Sequence, residues 1–585
     1  MIRESNDNQL TLAEFDWPFL EPLDEDNRWV KLADIIPWQA LSEPYLKNFA
    51  NTIQGRPAKP ARLVIGALII KHKLVLSDRE TVDQISENPY LQYFVGLNGF
   101  QTSKPFDASL FVLIRRRMGQ SVFDQFQQTI VDELDSYQQS RSEVMPDRKN
   151  NDPGGGAPDA TPEKEQPQSE TQQEPTHAPE QIETKDTDGK AEVAEAKQGR
   201  LILDATVADQ AIRYPTDLSL LNEARQFCEQ IIDKLYAHSA LKTKPRTYRI
   251  KARREFLAVA KRRKAGARVI RKAIRQQLQY VKRNLGHIEQ LLTHFPQAQA
   301  LPLPNWLLRR FWVIPHLFEQ QLEMYETKVH RCDNRIVSIS QPWVRPIVRG
   351  KQHKPTEFGA KINVSLDANG LARVDRHSWD AFHEGNDLPE QVQSYYDRFG
   401  HYPEVVMGDS IYGTRNNRAY LKQLGIRFAG KALGRPPKQT SVNADQLKAD
   451  KKRRQKEYRQ RIPIEGKFGQ GKGGYRLNYI RAKRSDTSIS WVNAIFFVMN
   501  LLVLYERYFL ALILAMKQVS LARLGRCILH RSMFNYLARM VSMAEPSAQF
   551  SARGISSLKF KSAGSNYTHC TYTHIFCDRI LCSSL

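Results

Sequence analysis

Three carboxylates stand in contexts that suit metal-dependent chemistry on phosphate esters. Asp204 closes the apolar run LILD, Asp409 closes the apolar run PEVVMGD, and Glu465 lies in a late helical segment. A carboxylate at the end of a buried strand is costly unless it is paired or coordinates something. Acids fixed on a rigid sheet can hold two Mg²⁺ about 4 Å apart, one activating an attacking oxygen and the other stabilising a leaving oxygen. Taken singly, each acid also has an ordinary explanation. A strand-end Asp often caps a helix or forms a turn, and Arg461 with Glu465 has the i,i+4 spacing of a helix ion pair.

Such acids need a sheet to hold them, and the pattern around them predicts one. Residues 200–209 read as a buried strand and 218–330 as helical, with apolar residues at helical spacing. Residues 359–367 and 371–377 read as two strands joined by Ala368-Asn369-Gly370, in which Asn-Gly is a hairpin signal. A helix over 387–399, a strand over 403–409, a helix over 414–424 and a short strand over 426–430 follow. From 450 to 468 the chain reads as helical, interrupted by Pro463. The order is strand, helical insert, hairpin, helix, strand, helix, strand, helix, which makes a mixed α/β sheet with helices packed on it.

The N-terminal part predicts helices only. An apolar helix covers 61–76, and Ser77 with Glu80 forms a capping box that opens the next. Asn88-Pro89 breaks that helix. A third runs from Asp107 past Ile114 and Met118, carrying Arg115, Arg116 and Arg117, and a fourth runs from Val122 to Tyr137. Short helices with an Arg triplet resemble a helix-turn-helix module; an ordinary bundle with a solvated basic face explains them equally well.

Residues 140–200 hold 14 acidic and 8 basic side chains and no aromatics, the composition of a disordered linker. The run 491–516 is long enough to span a bilayer, but Glu506 and Arg507 sit within it, so a buried helix is the better expectation. Residues 546–585 lack a clear period. His569, Cys570, His574, Cys577 and Cys582 near the end have irregular spacing and no Cys-x2-Cys pair, which does not make a zinc site.

The net charge is +23, which predicts affinity for a polyanion. It is concentrated in 242–283, where 17 Lys or Arg accompany a single acid, Glu255. Apolar residues such as Phe256, Leu257, Ile274 and Leu278 recur through this stretch, so it reads as amphipathic helix rather than tail. Like charges at i,i+4 repel, and a nucleic acid covering them would remove that penalty. Arg253, Arg254, Lys261, Arg262, Arg263 and Lys264 are the candidate phosphate contacts. Six cysteines in 585 residues exclude a disulfide scaffold. The N-terminus has no apolar signal-peptide core, so a cytoplasmic location is expected.

The surroundings of the third acid are specific. Within EYRQRIPIEGKFGQGKGGYR, Tyr458, Arg461, Glu465 and Lys472 fit the spacing Y-x2-R-x3-E-x6-K. This resembles the signature of a large group of bacterial insertion-sequence DDE transposases. HYPEVVMGDSIYG, with Tyr412 three residues after Asp409, resembles that group's second-aspartate motif, and LILDATVADQ its first. The helices around 61–120 resemble its N-terminal domain.

The resemblance implies an α/β RNase H-like catalytic domain with a long helical insertion, preceded by an all-α N-terminal domain. In that reading the helical DNA-binding-type domain covers 1–139, the acidic linker 140–200 and the catalytic domain 201–516. The basic insertion occupies about 216–345 and a partly irregular tail 517–585. Asp204, Asp409 and Glu465 would bind two Mg²⁺ or Mn²⁺, and Tyr458, Arg461 and Lys472 would grip DNA near the cleaved end. The implied partners are double-stranded DNA, both terminal inverted repeats and target, and a second copy in a homodimeric synaptic complex. The implied location is the bacterial cytoplasm, with the nucleoid and without a membrane.

This chain departs from better-known members, which place their insertion after the second aspartate. Here 205 positions separate Asp204 from Asp409, and only 56 separate Asp409 from Glu465. Two rivals stay open: an RNase H-like nuclease that cuts without joining, and an inactive transposase-derived DNA-binding protein.

Overall fold

A computed structural model describes residues 11–16, 22–47, 57–144, 197–295, 301–349, 355–431, 433–435, 440 and 443–509. Most of the expected linker, the 517–585 tail with its His and Cys residues, and 510–516 lie outside the described residues.

The N-terminal part is helical. It comprises α1 (Arg28–Ile35), α2 (Trp38–Leu46), α3 (Ala61–Lys73), α4 (Asp78–Glu87), α5 (Pro89–Phe94), α6 (Leu110–Arg117) and α7 (Gln120–Val144). The Ser77–Glu80 capping box forms in both directions and starts α4. Asn88 ends α4 and caps α5, whose first residue is Pro89, where a missing N–H costs nothing.

Strand β1 (Arg200–Asp209) opens the α/β part. Four helices follow: α8 (Asp217–Ala237), α9 (Arg249–Ala260), α10 (Ala267–Leu292) and α11 (Asn305–Thr327). Leu221, Ile231, Leu278, Val281, Ile314 and Leu317 give these helices a core of their own. The chain then returns through β2 (Arg345–Val348), β3 (Thr356–Leu366) and β4 (Ala372–Ser378). Helix α12 (Leu388–Phe399), strand β5 (Val405–Met407), helix α13 (Arg415–Gln423), strand β6 (Arg427–Ala429) and the 31-residue helix α14 (Ala444–Gly474) complete the pattern. A last helix, α15, spans Ser485–Phe509.

The six strands form one mixed sheet of order β2-β3-β1-β5-β6, with β4 also paired to β3. Strand β1 runs antiparallel to β3 and parallel to β5. At Gly359 the β3 backbone comes so close to β1 that an added Cβ would lie 2.0 Å from the Ala208 carbonyl oxygen. No other residue fits there without moving a strand.

Alternation along β1 divides the core into two layers. Leu201 and Leu203 pack with Leu388, Val392 and Leu421 beneath α12 and α13. Ile202, with Ile362, Val364 and Met407, packs on the other face against Ile464 and Phe468 of α14 and against α15.

Among the described residues, α15 is long and apolar enough to cross a membrane, yet 83% of its most apolar stretch is buried inside the protein. The reason is a helix covered on both sides. Val492, Ile495, Phe496 and Met499 face the sheet, while Phe497, Val498, Leu501 and Leu504 join the core of the N-terminal helices. A helix buried all round is apolar all round.

Two expectations need correction, and one strand has no counterpart among them. Asp204 ends the run LILD but lies inside its strand, since β1 covers the expected 200–209 and continues five residues beyond it, to Asp209. Pro463 does not interrupt the late helix, because Glu457 on one side and Ile464, Phe468 and Gly471 on the other are all buried and hold α14 together across it. Strand β2 was not expected at all.

Candidate active site

The sheet register sets two of the three acids on neighbouring segments of chain. In the parallel pairing of β1 with β5, Ile202 lies opposite Met407. Asp204 follows two residues later within β1, and Asp409 two residues after Met407, just past the end of β5 where the expected strand over 403–409 has already stopped. Asp204 has the parity of Ile202, which lies in the layer that faces α14. Asp204 is part-buried, and its Oδ1 accepts from its neighbour Ala205 N at 2.8 Å. Asp409 is exposed; its Oδ1 accepts from Ser410 N at 2.6 Å and caps the turn Ser410–Tyr412.

The third acid arrives on α14. A spacing of 3, 4 and 7 residues places Tyr458, Arg461, Glu465 and Lys472 on one stripe of a helix. Arg461 is the centre of that stripe. Its guanidinium donates to Asp204 Oδ2 at 3.4 Å and to Glu465 Oε1 at 2.5 Å. The i,i+4 ion pair that spacing alone suggests is therefore formed, and the same side chain also reaches the sheet. Tyr458 is 61% exposed, with the Arg461 guanidinium 5.7 Å from its ring centre. Lys472 is mostly buried and 3.9 Å from Glu357 on β3.

Burial raises the Asp204 carboxyl above its usual range, and the negative charge of Glu384 adds to this. The Ala205 N–H, Arg461 and Arg349 oppose it. This carboxylate is therefore one whose charge is poorly solvated and which gains from a cation.

Sequence reasoning missed the polar floor beneath the site. The Tyr412 hydroxyl is buried and donates to Asn363 Oδ1 at 2.5 Å. Asn363 Nδ2 in turn donates to Asp387 Oδ2 at 3.0 Å and to the Glu384 carbonyl at 3.3 Å. Gly385 packs against the Ile411 carbonyl so closely that a Cβ there would come within 2.4 Å of it. These contacts tie the turn after Asp409 to β3, which pairs with the strand of Asp204. A signal existed: Asn363 is a polar residue set between Ile362 and Val364 within a strand. Arg349, which donates to the Ala205 carbonyl at 3.3 Å, gave no such signal.

The expected DNA contacts divide. Arg253, Arg254, Lys261, Arg262, Arg263 and Lys264 are all exposed, on α9 and the turn that joins it to α10. Arg116 and Arg117 are exposed on α6. Arg115 is a correction. It is 4% exposed, forks onto Asp78 at 3.0 and 2.7 Å, and lies 5.1 Å from the centre of the Trp491 ring. Buried Lys71 meets the same Asp78 at 2.9 Å and the same ring at 4.4 Å. Arg115 thus docks the N-terminal helices on α15 and does not face solvent.

No three His, Cys, Asp or Glu side chains among the described residues are gathered closely enough to hold an ion. The donor chemistry nevertheless fits Mg²⁺ or Mn²⁺. All three acids offer hard carboxylate oxygens, and two of them already share one cation, the Arg461 guanidinium.

Comparison with known proteins gives two partial family matches. Residues 18–117 match a family described as "Transposase domain (DUF772)", and residues 406–502 match one described as "Transposase DDE domain". The second match contains Asp409 and Glu465; Asp204 lies outside both. In this order the two domains support an insertion-sequence DDE transposase. A curated relative, "Uncharacterized protein ORF8 in nfe locus" of Rhizobium meliloti, is 42% identical over 90 residues, 15% of this chain. The match covers 42% of that relative's length. No solved structure matches.

Proposed function

We propose that this protein is a DNA transposase that cuts at the ends of an insertion sequence and joins the freed 3′-OH ends to target DNA. One observation carries the reading most strongly. Asp204 and Asp409 follow matched positions of paired parallel strands, and Arg461 draws Glu465 of the facing helix to Asp204. The path β4-β3-β1-β5-β6, with β1 antiparallel to β3 and parallel to β5, supports an RNase H-like catalytic domain with a long helical insertion after its first strand.

Asp204, Asp409 and Glu465 would hold Mg²⁺ or Mn²⁺. When bound, the ions neutralise phosphate charge and lower the pKa of water. The chain's own groups do the rest. Arg461 supplies a fork of donors suited to phosphate oxygens, and Tyr458 an exposed ring on which a base can stack. Water attacks the phosphodiester at the element end and the 3′-oxygen leaves as a hydroxyl; that hydroxyl then attacks a target phosphodiester and displaces its 3′-oxygen. The basic turn between α9 and α10, with Arg116 and Arg117 on α6, gives phosphate contacts that position the duplex without reading its sequence. Two ends call for two copies, hence a homodimer in the synaptic complex, acting in the cytoplasm on nucleoid DNA.

A strand-transfer assay tests this reading against its rivals. Purified protein, Mg²⁺, a duplex bearing the element's own end and a plasmid target should give both nicked ends and joined products. Cut ends without joined products would make it a nuclease. Binding with neither product would make it a transposase-derived DNA-binding protein.

A further inference from the structure

Helix α14 is anchored only from its middle onward. Its first buried residue is Glu457, which pairs with Arg427 of β6. No residue from Ala444 to Lys456 is buried. This outer half is mostly exposed, and it is basic: between Ala444 and Arg461 stand eight Lys or Arg and three acids. A helix segment with no buried side chain and mostly like charge gains little from tertiary structure, so its surface is shaped for something other than this chain's core.

The charges are not scattered evenly. At 3.6 residues per turn, Lys451, Arg454, Tyr458, Arg461, Glu465 and Lys472 all fall within an arc of about 80°. The stripe that reaches the acids therefore continues outward for two more turns as two exposed cations. Arg454 is exposed, and its Nε donates to the Asp450 carbonyl at 3.2 Å. Along the axis Arg454 lies about 10 Å, and Lys451 about 15 Å, beyond Arg461. Duplex DNA advances about 3.4 Å per base-pair step.

We propose that Lys451 and Arg454 extend the stripe as a phosphate track, holding duplex DNA about three to five base-pair steps from the reacting phosphodiester. The inference rests on the reading of the site as one that cuts DNA. A second copy of this chain would bring the same sign of charge to this face, whereas a polyanion complements it. The contacts carry position and no base preference.

The test is the salt dependence of binding by the full chain to a duplex of arbitrary sequence, from about 50 to 200 mM salt. Lys451→Gln with Arg454→Gln should lower the slope of log affinity against log salt by about 1.8, or 0.9 per lost phosphate contact. Lys452→Gln with Lys456→Gln removes the same charge from the same helix outside the stripe and should move the slope by less than half as much. Equal changes in the two variants, or no change in the first, would overturn the track. So would a loss of dimer in the first variant at unchanged slope, which would make the face a contact between copies. Cleavage by the wild type is measured alongside. If it binds but does not cut, the functional reading fails while the slopes still decide the track; if it cuts and the slope stays put, only the track fails.

Discussion

Asp204 on the central strand and Arg461 on α14 meet at 3.4 Å across 257 residues of sequence. The pair joins the strand that carries Asp204 to the helix that carries Glu465. It also places a cation beside a carboxylate that burial disfavours as an anion.

That burial has a consequence for stability. The Asp204 carboxyl titrates above its ordinary value of 3.8 in the folded protein. The folded state then binds more protons than the unfolded state, and the carboxyl costs stability as pH rises from 3.8 through the folded value. Asp204→Asn should therefore raise the thermal midpoint at neutral pH without divalent ions, and the gain should vanish below about pH 3.8. Calorimetry at both pH values checks it; a lower midpoint at neutral pH would contradict it.

The polar floor predicts a loss on a conservative change. Tyr412→Phe keeps the ring but leaves the Asn363 Oδ1 without its buried donor. Urea unfolding should show a destabilisation of about 1–3 kcal/mol. A change near zero would show that the Asn363 contact adds nothing.

The Asp78 hub predicts a larger one. Asp78→Ala would strand Lys71 and Arg115, which are 1% and 4% exposed. Removing one partner of a buried ion pair costs about 3–5 kcal/mol. Denaturant unfolding should show that loss, with Asp78→Asn intermediate because it keeps part of the hydrogen bonding.

On the insertion, Arg262, Arg263 and Lys264 are exposed in one turn. Changing all three to Gln should reduce the salt slope of DNA binding by about 2.7 while leaving unfolding unchanged. An unchanged slope would exclude this turn from the DNA interface.

These particulars also show which features a sequence states openly. Strand β1, the β3–β4 hairpin and helix α12 carry alternation, an Asn-Gly turn or helical period, and each is found where those signals place it. The capping box at Ser77 is a local contact and is equally visible. Strand β2 is four residues long and contains Pro346, which an edge strand tolerates and a pattern does not reveal. Arg115 looked like its neighbours because its partners, Asp78 and Trp491, come from distant segments. Pro463 misled because local propensity opposes a helix there, and packing on both sides outweighs it. The candidate acids were legible through their motifs; the Arg461 bridge and the Asn363 floor depend on tertiary contacts that no spacing encodes.

The central claim is that Asp204, Asp409 and Glu465 form one site. The direct measurement is Mg²⁺-dependent cleavage of a plasmid carrying the element's own ends, by wild type, the three single Ala variants and the Asp204→Ala, Asp409→Ala double variant. The account predicts that each single change abolishes cutting while binding to the ends persists, and that the double variant is no worse, because residues acting as a unit are not additive. A single variant that still cuts at a rate near wild type would remove that acid from the site and contradict the account.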